Sequence, residues 1–409
     1  MKRLLAVFLG VLTAIGGFVD IGDLVANAAT GARFDMNLAW AVVVGVVGIV
    51  VYAEMCGRVA ALSGRAVFDL VRERLGPRMA MANLAASFFI NLLTLTAEIA
   101  GVAIALSLAA SVNYLLLIPL AAVLVWLVIW RMPFETMERV FGLLGLSLLV
   151  FAVAVWRFGP DWSTLFHDSA TPTVPTTESP WTYAYYAIAL FGAAMTPYEV
   201  FFFSSGAVEE RWTEKDLRIN RINVLIGFPL GGALSLAIMA LSHLVLAPRH
   251  IDVGLLSQVT LPVASVVGRL GLAAVLIGIF AATFGAALET SLSAGYIIGQ
   301  YFGWPWGKYV RARQAARFHL VVLIVIVVGA LFGMTRVDPV KVTEYSIVLA
   351  AAALPLTYFP ILVLANDRDY VGEHCNGRAM NFVAMVYLVI LVLVSLATIP
   401  LMIITRAGA

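Results

Sequence analysis

Charge is scarce in this chain. Asp, Glu, Lys and Arg make up 12% of its residues, about half the share of an ordinary soluble domain. At that density 409 residues cannot cover themselves with polar surface in water; a bilayer removes the need. Imbalance of sign is lacking too. Twenty-six basic against 24 acidic residues leave a formal net charge of +2, so nothing points to nucleic acid or to an acidic partner. Cysteine is nearly absent. Cys56 and Cys375 have no His/Cys cluster around them and fall on the side read below as cytoplasmic, so neither a disulfide framework nor a cofactor is expected. The chain has no Gly-rich phosphate loop, which argues against an ATP-driven pump. It also has no selectivity-filter repeat and no nucleophile–base set, which leaves a channel or a membrane-embedded enzyme as the weakest reading.

What the chain has is long apolar runs. Hydrophobic residues reach 62% and the mean hydropathy is +0.97. About eleven stretches can cross roughly 30 Å of hydrocarbon: 4–29, 38–63, 80–111, 113–130, 135–157, 181–209, 222–247, 262–303, 317–335, 341–365 and 380–404. Met1-Lys2-Arg3 and the run after it read as a retained first span, because the apolar stretch outlasts a signal peptide. The over-long 262–303 implies a tilted helix ending before Trp304-Pro305-Trp306. With the N-terminus inside, 19 of the 26 Lys and Arg lie on the cytoplasmic side and 7 outside. That asymmetry follows the positive-inside rule and sets the C-terminus outside. The one sizeable polar loop, about 158–180, is Pro/Thr-rich, shows no periodicity and is given no function. No soluble domain is present. The expectation is an all-α polytopic membrane protein, one transmembrane domain over 1–409, in a bacterial or archaeal plasma membrane.

Two of the spans carry polar interruptions. Span one reads Gly16-Gly17-Phe18-Val19-Asp20-Ile21-Gly22-Asp23-Leu24-Val25-Ala26-Asn27, with two carboxylates at mid-membrane depth. Each costs on the order of 2.5–3.5 kcal/mol there, and three residues apart on a helix they share a face and repel. A cation between them removes both penalties. Span six reads Leu190-Phe191-Gly192-Ala193-Ala194-Met195-Thr196-Pro197-Tyr198-Glu199. Pro197 lacks an N–H and clashes with the preceding turn, so a break is expected near Ala193 and Ala194, with Glu199 beside it. Glycine or proline interruptions at matching places in two halves of a transporter mark its binding site. A Gly/Pro kink can also be only a kink; the paired acids favour function.

Two further acids lie in small-residue helices, Glu98 in span three and Glu289 in span eight. Each reads either as a secondary ion or proton site or as an acid hydrogen-bonded within the bundle. Glu54, nearer the end of span two, is expected to reach water. Ser204 and Ser205 are expected to satisfy neighbouring backbone, and His243 and His319 to be interfacial.

These motifs together resemble the Nramp family of divalent metal transporters. Asp20-Ile21-Gly22-Asp23 is similar to the family's Asp-Pro-Gly-Asn, and Thr30-Gly31-Ala32-Arg33-Phe34 to its Ala-Gly-Ala-x-Phe. Gly192 to Tyr198 sits where the family has Gly-Ala-x-x-Met-Pro-His. Ala97-Glu98-Ile99-Ala100-Gly101 resembles the family's third helix, Gly299-Gln300-Tyr301 the end of its eighth, and Leu354-Pro355 through Asn366-Asp367-Arg368 and Gly372 its tenth helix and following loop. The resemblance implies a LeuT-type 5+5 inverted repeat with broken helices 1 and 6. Its repeats would cover about 4–157 and 181–365, with an extra helix at about 380–404. Carried over residue by residue, it implies a metal site of Asp20, Asp23, Thr196 and the carbonyl of Ala193. Here aspartate replaces the family's asparagine and threonine its methionine, while Met195 is one position away. Oxygen-only ligands suit Mg²⁺ or Mn²⁺, and Mg²⁺ sheds its water reluctantly. Ile347 and Ala353 stand where the family's span-ten glutamines are, which leaves room for water. Tyr198, Phe203 and Leu95 stand where it has its two histidines and an aspartate, so of that proton path only Glu98 remains, which implies altered or absent proton coupling.

Two functions are therefore carried forward. The first is a secondary transporter of hard divalent cations, with the metal ion as substrate, no resident cofactor and the lipid bilayer as its surroundings. The alternative is a transporter of an organic cation or other small solute on the same fold, with Tyr198, Phe201, Phe202 and Glu199 lining a larger pocket.

Overall fold

The computed structural model describes residues 19–176, 178–335 and 338–408. The first half of span one, with Gly16-Gly17-Phe18, and the N-terminal Met1-Lys2-Arg3 lie outside the described residues. The chain continues as α1 (Ile21–Phe34), α2 (Ala39–Ser63), α3 (Val67–Leu75), α4 (Pro77–Ala110), α5 (Tyr114–Arg131), α6 (Phe134–Gly145), α7 (Val150–Phe158) and α8 (Trp162–Ala170). The second half comprises α9 (Pro180–Ala194), α10 (Pro197–Glu209), α11 (Leu217–Val245), α12 (Leu261–Val267), α13 (Arg269–Phe302), α14 (Ala316–Gly333), α15 (Pro339–Leu364), α16 (Arg368–Val371) and α17 (Arg378–Ile404).

Among the described residues ten helical segments are long and apolar enough to cross a membrane, matching spans two to eleven. The over-long eighth is divided at Gly268, whose φ of 83° ends α12 and starts α13. The 158–180 segment is not all loop: Asp161 caps α8 by accepting from the Ser163 amide and hydroxyl, a local signal that the Pro/Thr composition hides.

Buried apolar residues fall into two main clusters, with α4, α10 and α13 contributing to both. One cluster draws mainly on α1, α2, α9, α10, α11 and α15, with Leu24, Ile49, Phe201, Ile238 and Leu354 inside it. The other draws on α4, α5, α13 and α14 around Ile99, Val125, Leu288 and Phe318. Membrane helices approach closely where side chains are small. A Cβ on Gly31 would stand 2.1 Å from the Met239 carbonyl, and one on Gly192 would stand 2.6 Å from that of Ile347. The α9–α10 span is the most enclosed, with 94% of its apolar window buried, while α17 at 22% lies on the periphery.

Polar contacts close both ends. At one end Arg33 pairs with Glu178 and His243 Nδ1 lies 2.8 Å from Asp35. At the other, Glu54 does not reach water: it is buried and pairs with Arg58 and Arg221. Arg58 also donates to the His374 carbonyl and to Asn376. Three separate segments meet there, which a single-span reading of Glu54 misses.

Candidate functional site

Asp20 is the N-cap of α1, with an extended backbone of φ −98° and ψ −176°. The first turn of any helix leaves four N–H groups without intrahelical partners. Two of them are met by buried acids. Asp20 Oδ1 accepts from the Asp23 amide at 2.8 Å, and Glu98 Oε1, reaching from α4, accepts from the Ile21 amide at 3.1 Å. Asp23 lies one turn on. Its Oδ1 accepts from Asn27 Nδ2 at 2.8 Å and its Oδ2 from the Ser235 hydroxyl of α11 at 2.5 Å. The positive end of the α1 dipole favours both carboxylates. Each carboxylate offers about four acceptor positions, so both keep lone pairs for a cation.

The sixth span breaks at Met195 and Thr196, one to two residues later than expected. The cause is local. Helical geometry pairs each carbonyl with the N–H four residues on, and at that place Ala193 meets Pro197, which has none. The residue before a proline is driven extended, and Thr196 has φ −69° and ψ 131°. The helix therefore runs to Ala194 and restarts at Pro197, leaving the Ala193 carbonyl without its helical donor. Met195 is fully buried, and its sulfur occupies the space a Cβ on Gly48 would need. It packs on α2, as a one-residue offset from the family's methionine requires.

Tyr198 and Glu199 occupy the first turn of α10. The Tyr198 hydroxyl donates to Asp20 Oδ2 at 3.1 Å, and Thr196 Oγ1 donates to Glu199 Oε2 at 3.3 Å. Glu199 Oε1 is buried without a hydrogen-bond partner, as is Glu98 Oε2. Asp20, Asp23, Glu98, Glu199 and Glu289 are all at most 8% exposed. Asp20 and Asp23 stand at the start of α1 and Glu199 in α10, while Glu98 lies in α4 and Glu289 in α13. Among the described residues no Lys, Arg or His pairs with any of them, and no three His, Cys, Asp or Glu side chains form a ready-made metal cage.

The aromatic residues after the break are engaged in packing. Phe201 meets Phe68 edge-on at 5.1 Å, and Phe202 stacks on Phe134 at 5.5 Å. Ser204 accepts from the Val67 amide and Ser205 from Gln300, both structural contacts. Ile347 does not leave open space: its Cγ2 lies where a Cβ on Gly22 would fall, at 2.7 Å. Ala353 packs with Ile90.

Two residues of the site were missed in the sequence. Asn27 sits four residues after Asp23, a helical spacing at which side-chain amides meet carboxylates, so that pattern could have found it. Ser235 lies 212 positions from Asp23 in a small-residue run, and no local signal marks it.

The chain is similar to a divalent metal cation transporter, MntH, of Pectobacterium carotovorum, 24% identical over 92% of this chain and 89% of that protein. Among solved structures, it is similar to the manganese transporter of Eremococcus coleocola in complex with an aromatic bis-isothiourea substituted compound. That match has a TM-score of 0.70 at 19% identity, covering 97% of this chain and 86% of the other. A Na⁺-coupled sialic acid symporter shares the architecture at a TM-score of 0.63 and 12% identity, over 94% and 88% of the two chains. The fold is that of the LeuT-type transporters. The profile of the natural resistance-associated macrophage protein-like family, Nramp, matches residues 10–400, and the chain belongs to that family.

Proposed function

We propose that this protein carries divalent metal cations across the bilayer by alternating access, and that it selects hard ions such as Mg²⁺ or Mn²⁺. The observation that carries the reading is the pair of buried carboxylates, Asp20 and Asp23, at the start of α1 beside the broken sixth span, with no basic side chain paired to them among the described residues. Uncompensated charge at that depth is costly, and a positive guest neutralises it. Asp20, Asp23, the Thr196 hydroxyl and the Ala193 carbonyl supply oxygen only, which favours hard ions over thioether-seeking metals. Tyr198 orients Asp20, and Glu199 adds negative charge at the rim. A site of two carboxylates suits Mg²⁺, which keeps several waters and takes one or two carboxylates. The packing of Phe201 and Phe202 on other aromatics weighs against a large organic pocket. The naming of curated relatives as divalent metal cation transporters supports the ion class.

The N-terminus is placed in the cytoplasm and the C-terminus outside, on the 19-to-7 distribution of basic residues. With Tyr198, Phe203 and Leu95 in place of the family's proton-path residues, transport is uncoupled from protons. The membrane potential then suffices, since two charges gain about 4.6 kcal/mol per 100 mV. Calorimetry on purified protein tests the reading. Heat of binding with Mg²⁺ or Mn²⁺ is expected; binding of an organic cation with no heat from any divalent ion would overturn it.

A further inference from the structure

The connector between α13 and α14 plays no part in the ion site. From Gly303 to His319 the chain carries Lys308, Arg311, Arg313 and Arg317 and no acid. An excess of positive charge in loops on one side is what membrane topology requires, so the charges alone assign nothing. Their setting does. Both α13, ending at Phe302, and α14, starting at Ala316, are long and apolar enough to span, which puts the connector at the membrane surface. Glu209 fixes it there by accepting from the Lys308 and Tyr309 amides.

Phe302, 49% exposed, stacks on Trp304 at 5.0 Å, and the Arg317 guanidinium lies 5.2 Å from the centre of the Trp304 ring. Tyr301 continues the row, meeting Phe302 edge-on at 5.0 Å, and its carbonyl accepts from Arg72 of α3. Arg311, Arg313 and Arg317 are exposed, and among the described residues no Asp or Glu pairs with them. Arg58, Arg65, Arg74 and Arg221 each hold a carboxylate instead. A second arginine–tryptophan pair emerges at the same side. A Cβ on Gly333, at the end of α14, would meet Ile118, near the start of α5, at 3.5 Å. Each helix has 18 residues, so the end of α5 comes out where α14 begins. There Arg131 lies 5.3 Å from the ring centre of exposed Trp130.

We propose that Arg311, Arg313 and Arg317, with the Phe302–Trp304 stack against Arg317, bind the phosphate headgroup of an anionic phospholipid. A guanidinium held by an aromatic ring, unlike one paired with a carboxylate, keeps its fork of N–H donors for phosphate oxygens. Tryptophan settles at headgroup level, and basic pockets at the ends of spanning helices take anionic headgroups. The exposed face of Phe302 favours a lipid over a free anion, because it offers apolar contact to acyl chains. The site is separate from the acids at the start of α1, and the proposal does not depend on which ion is carried.

Native mass spectrometry of the detergent-purified full chain, with dioleoyl phosphatidylglycerol or dioleoyl phosphatidylcholine added, tests it. Wild type is expected to hold phosphatidylglycerol about tenfold more tightly than phosphatidylcholine. Arg311→Gln, Arg313→Gln and Arg317→Gln are each expected to weaken phosphatidylglycerol binding about fivefold. Arg218→Gln, an equal loss of charge at an exposed position of α11, is expected to leave it unchanged. Should Arg317→Gln fail to fold, the Arg311→Gln/Arg313→Gln double variant decides, since both side chains are exposed in the connector. Equal binding of the two lipids by wild type overturns the proposal, as does wild-type affinity in the connector variants. An effect of Arg218→Gln as large as theirs would reduce the site to general surface charge and overturns it too. Binding of inorganic phosphate with no preference between the lipids would make the occupant a soluble anion, and likewise overturns it.

Discussion

The Tyr198 hydroxyl lies 3.1 Å from the carboxylate of Asp20, and this contact joins the restart of the sixth span to the start of α1. It keeps Asp20 turned toward the break, where the Ala193 carbonyl has lost its helical donor. A hydrogen bond to a charged group contributes about 1.5–3 kcal/mol. Tyr198→Phe is therefore expected to weaken divalent-ion binding about tenfold or more without abolishing it, as read by calorimetry. Unchanged affinity would show that Asp20 needs no such orientation.

The oxygen-only donor set gives a prediction about selectivity. Asp23→Asn with Thr196→Met restores the residue types of the family pattern, removing one charge and adding a thioether. Competition binding is expected to shift from Mg²⁺ toward softer ions such as Cd²⁺. A double variant that still prefers Mg²⁺ would remove Thr196 and Asp23 from the account of selectivity.

Ser235 holds one oxygen of Asp23 from α11 at 2.5 Å. Leaving a buried acceptor unsatisfied costs about 1–3 kcal/mol, so Ser235→Ala is expected to lower affinity by about tenfold, less than Asp23→Ala. An effect equal to that of Asp23→Ala would mean that the serine contacts the ion itself.

Much of this was legible in the sequence. Ten of the eleven spans, the acids at 20 and 23 and the proline break all follow from hydropathy, burial cost and the missing N–H of Pro197. Other features needed coordinates. The Ser235–Asp23 contact joins distant helices, and the Glu54 ion pairs depend on how three segments meet. The filling of Gly22's space by Ile347 is a matter of close packing that no local pattern encodes.

Gly22 gives a steric test of that packing. A Cβ there would fall 2.7 Å from Ile347 Cγ2 and 3.0 Å from Asp20 Oδ1. Gly22→Ala is expected to abolish Mn²⁺ uptake, and adding Ile347→Ala to restore part of it. Normal uptake by the single variant would show that the start of α1 tolerates displacement.

Asp69 on α3, outside the spans, gives a pH dependence. Burial raises its pKa from 3.8 to about 6, with Arg65 and Arg72 opposing. A raised acid pKa in the folded state means that the folded chain holds the proton longer than the unfolded one. This group's contribution to stability therefore falls as pH rises from about 4 to about 6. Asp69→Asn is expected to flatten the melting temperature over that window; an unchanged slope would contradict it.

The central claim is tested most directly by Mn²⁺ influx into proteoliposomes under an imposed inside-negative potential, with a pH dye in the lumen. Wild type is expected to accumulate Mn²⁺ without acidifying the lumen, and Asp20→Ala to accumulate none. Normal influx through Asp20→Ala, or acidification that tracks the metal, would contradict the account.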